Sequence, residues 1–248
     1  MANRTAELTN YERSQSSKPV VRWLHSFRYK NTLRVFDQLS REVADRPIRV
    51  VDIGCAVAKS YALLDGRYSI EYTGIDISSE FVETARRRYG DRPNFSIIQG
   101  SAADALDGMS GIDVILALET LEHVPDDVVP VILDRVSSVR PRLFVCSVPN
   151  ELGPVIWFKN FGSLLIGYRR SARLSRRMFM NTFWASVYRV DRLPAHRTGH
   201  SGFDWRRLAD QIRARMRIRE VRTLPVNSLP TGLATNVYMI AEPRSEEG

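Results

Sequence analysis

The chain has 248 residues, 44% of them apolar, and a formal net charge of +8 at pH 7. This length suits one α/β domain with insertions, so we expect a single domain over residues 1–248. Its two cysteines, Cys55 and Cys146, lie far apart without C-x-x-C spacing, which argues against a disulfide framework and a thiolate metal site. The basic excess fits an anionic partner, such as RNA, a phosphorylated substrate or a membrane surface, or compositional bias alone.

Neither a membrane span nor a signal peptide is visible in the sequence. The longest apolar stretch, residues 154–168, is interrupted by Lys159 and Gly162 and is too short to cross a bilayer. Residues 1–18 are polar and lack the apolar run of a signal peptide. We therefore expect a cytoplasmic protein, whose positive charge would also suit peripheral contact with an anionic membrane.

In chain order, the first predicted element is helical, because apolar residues between Val20 and Val43 recur at mostly helical spacing. One or two helices would form an N-terminal cap over residues 1–47. From Ile48 onward, short β-branched runs alternate with helical patterns. The predicted strands span residues 48–53, 71–75, 95–99, 112–118 and 143–148, and the predicted helices span 59–64, 79–89 and 128–139, with a shorter helix between the third and fourth strands.

This alternation predicts a doubly wound, mostly parallel sheet with helices on both faces, formed by residues 48–150. After Pro149 the pattern changes, and residues 151–200 are interpreted as an insertion or lid on the acceptor side. Residues 201–248 would add a helix over 205–215 and a closing hairpin of strands 216–224 and 235–242. The hairpin would complete a seven-stranded sheet.

Two acidic residues end neighbouring strands of the predicted sheet. Asp52 is followed by the small residues Gly54, Cys55 and Ala56, where a ligand can approach the backbone closely. Asp76 ends the second strand, where a carboxylate can accept hydrogen bonds from both hydroxyls of a ribose. Either acid alone would be interpreted as a solvated strand end, but the pair indicates a site for a nucleoside-containing cofactor.

The pattern D-x-G-C-small-x-small, followed by an acid at the end of strand two, resembles the class I S-adenosylmethionine-dependent methyltransferases. The resemblance extends from about Val50 to Asn150 and implies a Rossmann-like methyltransferase fold with S-adenosyl-L-methionine as cofactor. It implies that Asp76 holds the ribose and that Ile77 packs on adenine. The cofactor-binding candidates that it implies are Arg28, Asp52, Gly54, Cys55, Ala56, Asp76, Ile77, Ser101, Ala102 and Leu118.

The cofactor loop departs from the family at Ala56 and Ala58, where glycine is usual. Each methyl group would reshape the loop or narrow the approach to the cofactor, above all if the backbone needs a positive φ. A non-catalytic binding protein with a degenerate methyltransferase fold is therefore an alternative. A nicotinamide dinucleotide is disfavoured, because G-x-G-x-x-G would require glycine at 54, 56 and 59 and only Gly54 is present.

Strand four runs into an E-x-x-E-H motif formed by Glu119, Glu122 and His123. If a helical turn starts there, these side chains share a face and suit Mg²⁺, Mn²⁺ or Zn²⁺, which would lower the pKa of an acceptor hydroxyl. The motif resembles metal-assisted O-methyltransferases of ubiquinone biosynthesis and small-RNA 2′-O-methyltransferases. The resemblance to the latter makes His200, in residues 200–205, a candidate fourth ligand or base. The alternative is that the acid and imidazole cap the following turn.

The sequence therefore predicts methyl transfer to the oxygen of a small hydroxylated acceptor, such as a phenol, a sugar or a lipid-linked intermediate. His123 and His200 are the candidate catalytic bases, because the acceptor hydroxyl must lose its proton. RNA ribose 2′-O-methylation is the alternative, indicated by the basic charge and by His200. The aromatic and arginine-rich segment 154–195 fits a lid that contacts lipid, RNA or only water.

Overall fold

A seven-stranded sheet forms the centre of the computed structural model, which describes residues 19–151, 153–155, 203–227 and 229–244, with side chains from Phe27 onward. The strands are β1 (Ile48–Ile53), β2 (Ile70–Asp76), β3 (Phe95–Gln99), β4 (Val114–Leu118), β5 (Leu143–Pro149), β6 (Met216–Leu224) and β7 (Asn236–Pro243). The helices are α1 (Pro19–Glu42), α2 (Lys59–Leu64), α3 (Ser79–Tyr89), α4 (Ala102–Ala105), α5 (Val128–Val139) and α6 (Trp205–Arg215), with 3-10 turns at Leu121–His123 and Thr231–Leu233.

The strands are ordered β3-β2-β1-β4-β5-β7-β6 across the sheet. Strands β1 to β5 are parallel, whereas β7 runs antiparallel between β5 and β6. The order reverses at β1, so the carboxyl ends of β1 and β4 flank the topological switch point where ligands bind in such sheets. The predicted doubly wound, seven-stranded fold is confirmed.

Helices cover both faces of the sheet and create two apolar cores. On one face, Phe36 and Leu39 of α1 and Tyr61 of α2 pack with the inward residues of β1 and β2 and are fully buried. On the other face, α4, α5 and α6 pack over β4, β5 and β7. Burial on both faces explains why the central strands read as nearly continuous apolar runs in the sequence.

Local sequence signals set the helix boundaries. Helix α3 begins after Ser78, whose side chain accepts a hydrogen bond from the Phe81 amide. The last turn of α3 carries arginines, whose positive charge interacts favourably with the negative end of the helix dipole. Helix α6 begins after Asp204, whose carboxylate accepts from the Arg206 amide at 2.9 Å. These caps are among the reasons that the predicted bounds of α3 and α6 are correct.

The bounds of the other predicted elements agree closely with those in the structure. The described part of the N-terminal cap is one continuous helix, Pro19–Glu42, and the closing hairpin forms as β6 and β7. Strand β4 begins at Val114, two residues later than predicted. The predicted lid, 151–200, lies outside the described residues except for 151 and 153–155. Within the described ranges, we find no helix that is both long and apolar enough to cross a membrane.

Candidate active site

The loop after β1 is fixed to the neighbouring strand by its backbone. The amides of Gly54 and Cys55 both donate to the carbonyl of Ile75, at 2.8 and 3.2 Å. Gly54 has a φ of +66°, and a Cβ atom there would lie 2.3 Å from Cγ2 of Thr120. Glycine is therefore required at position 54 both by backbone conformation and by the close approach of the segment after β4.

Ala56 and Ala58 both adopt the left-handed conformation, with φ of 47° and 57°. This is the condition under which the sequence predicted that the missing glycines would matter. Each alanine costs about 1–2 kcal/mol relative to a right-handed or extended backbone. The surrounding contacts nevertheless hold the loop in a glycine-like path, and Ala58 closes it by donating its amide to the Cys55 carbonyl at 2.8 Å.

Asp76 joins this loop to the end of β2. Its Oδ2 atom accepts from the Ala56 amide at 2.8 Å, and its Oδ1 atom accepts from the Ser78 amide at 2.9 Å. Each carboxylate oxygen has a further lone pair for a ligand hydroxyl. The adjacent Ile77 is 78% exposed, a large apolar surface directly beside the carboxylate. A ribose on Asp76 and a base on Ile77 fit this arrangement.

Asp52 lies deeper, with only 2% of its surface exposed. Its Oδ2 atom accepts a hydrogen bond from the Tyr72 hydroxyl at 2.7 Å. Burial raises the pKa of Asp52 to about 6, against the lowering effects of the Tyr72 and Ser60 hydroxyls and of the Arg28 charge. Arg28, on α1, is itself buried. The structure therefore brings the sequence-predicted Arg28 to the side of the site occupied by Asp52.

The ends of β3 and β4 complete this edge of the sheet. Ser101 caps α4, its hydroxyl accepting from the Ala103 amide at 3.2 Å, and Ala102 is buried behind it. The amide of Gly100 donates to the Asp76 carbonyl, which ties the β3 end to the β2 end. Leu118 ends β4 and is half-buried. All the predicted cofactor-binding positions on the strand ends therefore share one edge of the sheet.

The E-x-x-E-H motif does not form the shared helical face that its spacing predicted. Glu119 precedes the 3-10 turn and has a φ of 56°, so it lies off the turn that carries Glu122 and His123. Its Oε1 atom accepts from the Ser147 hydroxyl at 3.1 Å and from the Asn236 amide at 2.9 Å. Glu122 is fully buried, whereas His123 is exposed.

The predicted metal centre is therefore corrected for the residues that can be assessed. Among the described parts of the chain, no three His, Cys, Asp or Glu side chains are grouped closely enough to hold a metal ion. The left-handed backbone at Glu119 places this residue away from Glu122 and His123, which the spacing had predicted to share a face with it. The fourth candidate, His200, lies outside the described residues, as does the other histidine of that segment, His196.

Three residues at this edge make contacts that had no signal in the sequence pattern. Thr120 packs on Gly54 and donates its hydroxyl to the Ile53 carbonyl at 3.1 Å. The hydroxyl of Tyr72, on β2, donates to Asp52, and the side-chain amide of Asn236, on β7, donates to Glu119. These contacts join residues distant in the chain, so only the strand order reveals them.

Asn150, which follows β5, holds two segments of the chain together. Its side-chain amide donates to the carbonyls of Thr231 and Ala234, at 2.5 and 3.0 Å, and the residue is buried. These bonds hold the segment before β7 against the end of β5.

Comparison with known proteins finds similarity to methyltransferases. The family described as a methyltransferase domain matches residues 50–141. The O-methyltransferase cnsE of Penicillium expansum is 39% identical over 100 residues, covering 37% of this chain and 36% of the relative. A small RNA 2′-O-methyltransferase of Drosophila melanogaster is 29% identical over 151 residues, covering 56% of this chain and 38% of the relative. The chain thus spans less than half the length of these curated relatives.

Solved structures show the same fold over most of both chains. The methyltransferase domain of a bacterial protein named CtHen1-CN superposes with a TM-score of 0.57 at 18% identity, covering 88% of this chain and 99% of that one. Magnesium protoporphyrin IX methyltransferase from Synechocystis PCC 6803, solved with bound SAH, superposes with a TM-score of 0.54 at 16% identity, covering 92% and 88%. The predicted resemblance is confirmed: residues 50–141 match a methyltransferase domain, and the described residues have the fold of class I S-adenosylmethionine-dependent methyltransferases.

Proposed function

We propose that the protein transfers the methyl group of S-adenosylmethionine to an oxygen atom of an acceptor. The observation that carries the proposal is the position of Asp76, whose carboxylate is fixed by the Ala56 and Ser78 amides beside the exposed Ile77. This arrangement suits the ribose and the base of the cofactor. When bound, the cofactor supplies an activated methyl group on a sulfonium. The protein's task is to align the acceptor and to accept the hydroxyl proton.

Oxygen as the acceptor atom is supported by the relatives of the chain, which are named O-methyltransferases. A small hydroxylated acceptor, such as a phenol, a sugar or a lipid-linked intermediate, is the reading we favour. His123 and His200 stay the candidate bases. The exposed His123 ends the 3-10 turn after β4, at the same sheet edge as the cofactor loop. Residues 151–200 stay a proposed lid within one domain, and membrane contact stays a prediction from the positive charge and from the aromatic and arginine-rich segment 154–195.

RNA ribose 2′-O-methylation is the second candidate. The Drosophila small RNA 2′-O-methyltransferase aligns over 56% of this chain, more than the fungal O-methyltransferases do. The net charge of +8 also suits a polyanion. Binding of a synthetic single-stranded RNA that weakens steeply with salt would favour this candidate. Failure to bind that RNA at low salt would count against it.

The proposal does not include a divalent cation, because no three His, Cys, Asp or Glu side chains of the described residues form a group that could hold one. The cofactor titration should therefore be run both with Mg²⁺ and with a chelator. Equal affinity in the two buffers would agree with a cofactor site built from Asp52, Asp76 and the loop alone.

The direct test is calorimetric titration of the protein with S-adenosylhomocysteine. We expect micromolar binding, and a loss of at least tenfold in affinity for Asp76→Ala, because its carboxylate is placed to receive the ribose hydroxyls. Asp91→Ala is the matched control, since Asp91 is an exposed acid in the turn before β3, at the opposite edge of the sheet. Absence of binding by the folded wild-type protein would refute the enzyme proposal and favour a degenerate fold used for binding something else.

A further inference from the structure

A buried hydrogen bond lies directly behind the cofactor loop. Asp52 and Tyr72 lie on the neighbouring parallel strands β1 and β2, where Tyr72 pairs with Val50 in the register. Side chains two apart on a strand share a face, so Tyr72 reaches the same face as Asp52. The Tyr72 hydroxyl donates to Asp52 Oδ2 at 2.7 Å, and both residues are 2% exposed. A short, dry bond of this kind fixes the position of a carboxylate.

Tyr72 is the donor of this hydrogen bond, and Asp52 is the acceptor. Burial, followed by the charge of Asp52, raises the pKa of Tyr72 well above its ordinary value. The tyrosine therefore keeps its proton and donates it. Its ring is held rigidly, stacked on Phe95 with centroids 5.7 Å apart and tilted against Tyr61 at 5.3 Å. The hydroxyl thus approaches Asp52 from a fixed point.

The charges around Asp52 leave it suited to a cation. From α1, the buried Arg28 supplies positive charge, and from α2 the Ser60 hydroxyl adds a hydrogen bond; both favour the ionised carboxylate. From β2, Asp76 opposes it by like charge. The loop contributes Cys55, a buried thiol whose pKa is raised by burial and by these acids. Two acids therefore face this site from the strand ends.

We propose that Tyr72 is a positioning residue of the cofactor site, whose hydroxyl keeps the Asp52 carboxylate ionised and in place for the ammonium group of the cofactor. The inference rests on the proposed function, because it assumes that S-adenosylmethionine and its product bind this loop. It concerns a group that acts through Asp52 and does not itself touch the cofactor. The loop supports the inference, since Gly54 begins it only two residues after Asp52.

The inference makes cofactor affinity depend on pH. Burial raises the pKa of Asp52 to about 6 in the free protein. A bound cation favours the ionised form, so below this pH the carboxyl must release a proton before the cofactor binds. Affinity should fall by about tenfold for each pH unit below that point. Replacing Tyr72 by Phe removes the hydrogen bond that favours the charge, so the fall should begin at a higher pH.

The experiment is a calorimetric titration with S-adenosylhomocysteine between pH 5.5 and 8.5, using wild type, Tyr72→Phe and Asp52→Asn. At pH 8.5, we expect the dissociation constant of Tyr72→Phe to be close to that of wild type, so that their ratio is near one. At pH 6 it should grow by about tenfold for each unit by which the pKa of Asp52 has risen. Asp52→Asn should bind weakly and should lack the part of the pH dependence that belongs to Asp52.

Tyr61→Phe is the matched control. Tyr61 belongs to the same aromatic cluster and is fully buried, but its hydroxyl donates to Asn94 at 2.9 Å. Its affinity profile should run parallel to that of wild type. A purely structural effect of Tyr72→Phe would give a ratio that is constant with pH, and that result would overturn the inference.

A second measurement separates this inference from the proposed function. The carbon-13 NMR titration of the Asp52 carboxyl in the ligand-free protein should shift to higher pH in Tyr72→Phe and should not shift in Tyr61→Phe. Cofactor binding with an unshifted Asp52 titration would refute the role of Tyr72 alone. No binding of S-adenosylhomocysteine at pH 8.5 would refute the proposed function and, with it, the inference.

Discussion

The most direct test of the cofactor loop is Gly54→Ala, because two separate penalties meet at that position. The backbone φ of +66° costs an L-residue about 1–2 kcal/mol. The added Cβ would also lie 2.3 Å from Cγ2 and 2.6 Å from Oγ1 of Thr120, and overpacking of this kind costs about 1–3 kcal/mol. We therefore expect Gly54→Ala to lower the free energy of unfolding by about 2–5 kcal/mol.

Gly66→Ala isolates the backbone contribution. Gly66 has a φ of +76°, but a Cβ atom there would meet nothing within 4 Å. It should therefore cost only about 1–2 kcal/mol, and it should leave S-adenosylhomocysteine affinity unchanged because it lies away from the loop. Urea unfolding of both variants gives the difference directly, and calorimetry gives the affinities.

Thr120→Ala completes a double-mutant cycle with Gly54→Ala. It removes the two closest atoms and leaves the Thr120 Cβ at 3.0 Å from the added methyl. The double variant should therefore be more stable than the sum of the single effects predicts, by about 0.5–3 kcal/mol. Equal destabilisation by Gly54→Ala and Gly66→Ala, with no coupling to Thr120, would contradict the close approach of Gly54 and Thr120.

Three further predictions follow from other parts of the structure. Burial alone would raise the pKa of Asp113, but the paired hydrogen bonds from Arg46, at 2.7 and 2.8 Å, help to lower it below its usual value. A lowered folded pKa contributes stability above the unfolded value of about 3.9 and loses it as pH falls through the folded value. Asp113→Asn should thus cost about 1–3 kcal/mol at pH 7 in urea unfolding, and its difference from wild type should shrink as the pH falls below about 3.9; a constant difference would contradict this. Ala56→Gly relieves a left-handed alanine but loosens the unfolded chain, so its unfolding free energy should change by no more than about 1 kcal/mol while S-adenosylhomocysteine binding is retained. Burial raises the pKa of Cys55 and of Cys146, so mass spectrometry should find both thiols slow to react with iodoacetamide at pH 7.5, whereas fast alkylation of the folded protein would contradict their burial.

Much of the fold could be predicted from the sequence because its signals are local. Short apolar runs alternate with segments whose apolar residues recur at helical spacing, and the capping residues Ser78 and Asp204 lie where helices begin. The bounds of α2, α3, α5 and α6 follow from those patterns. The small residues after Asp52 and the acid at Asp76 also identify the cofactor end of the sheet, because strand ends of parallel sheets meet at one edge.

The details of the site were decided by the tertiary structure, because they depend on neighbours distant in the chain. The spacing of E-x-x-E-H predicted one helical face, but Glu119 has a left-handed backbone and is bound by Ser147 and Asn236 from other strands. Likewise, the sequence placed Asp52 at a strand end, but only the pairing of β1 with β2 brings the Tyr72 hydroxyl to it. Periodicity and turn chemistry act within a few residues, whereas burial, charge and hydrogen bonding at the site depend on the order of the strands.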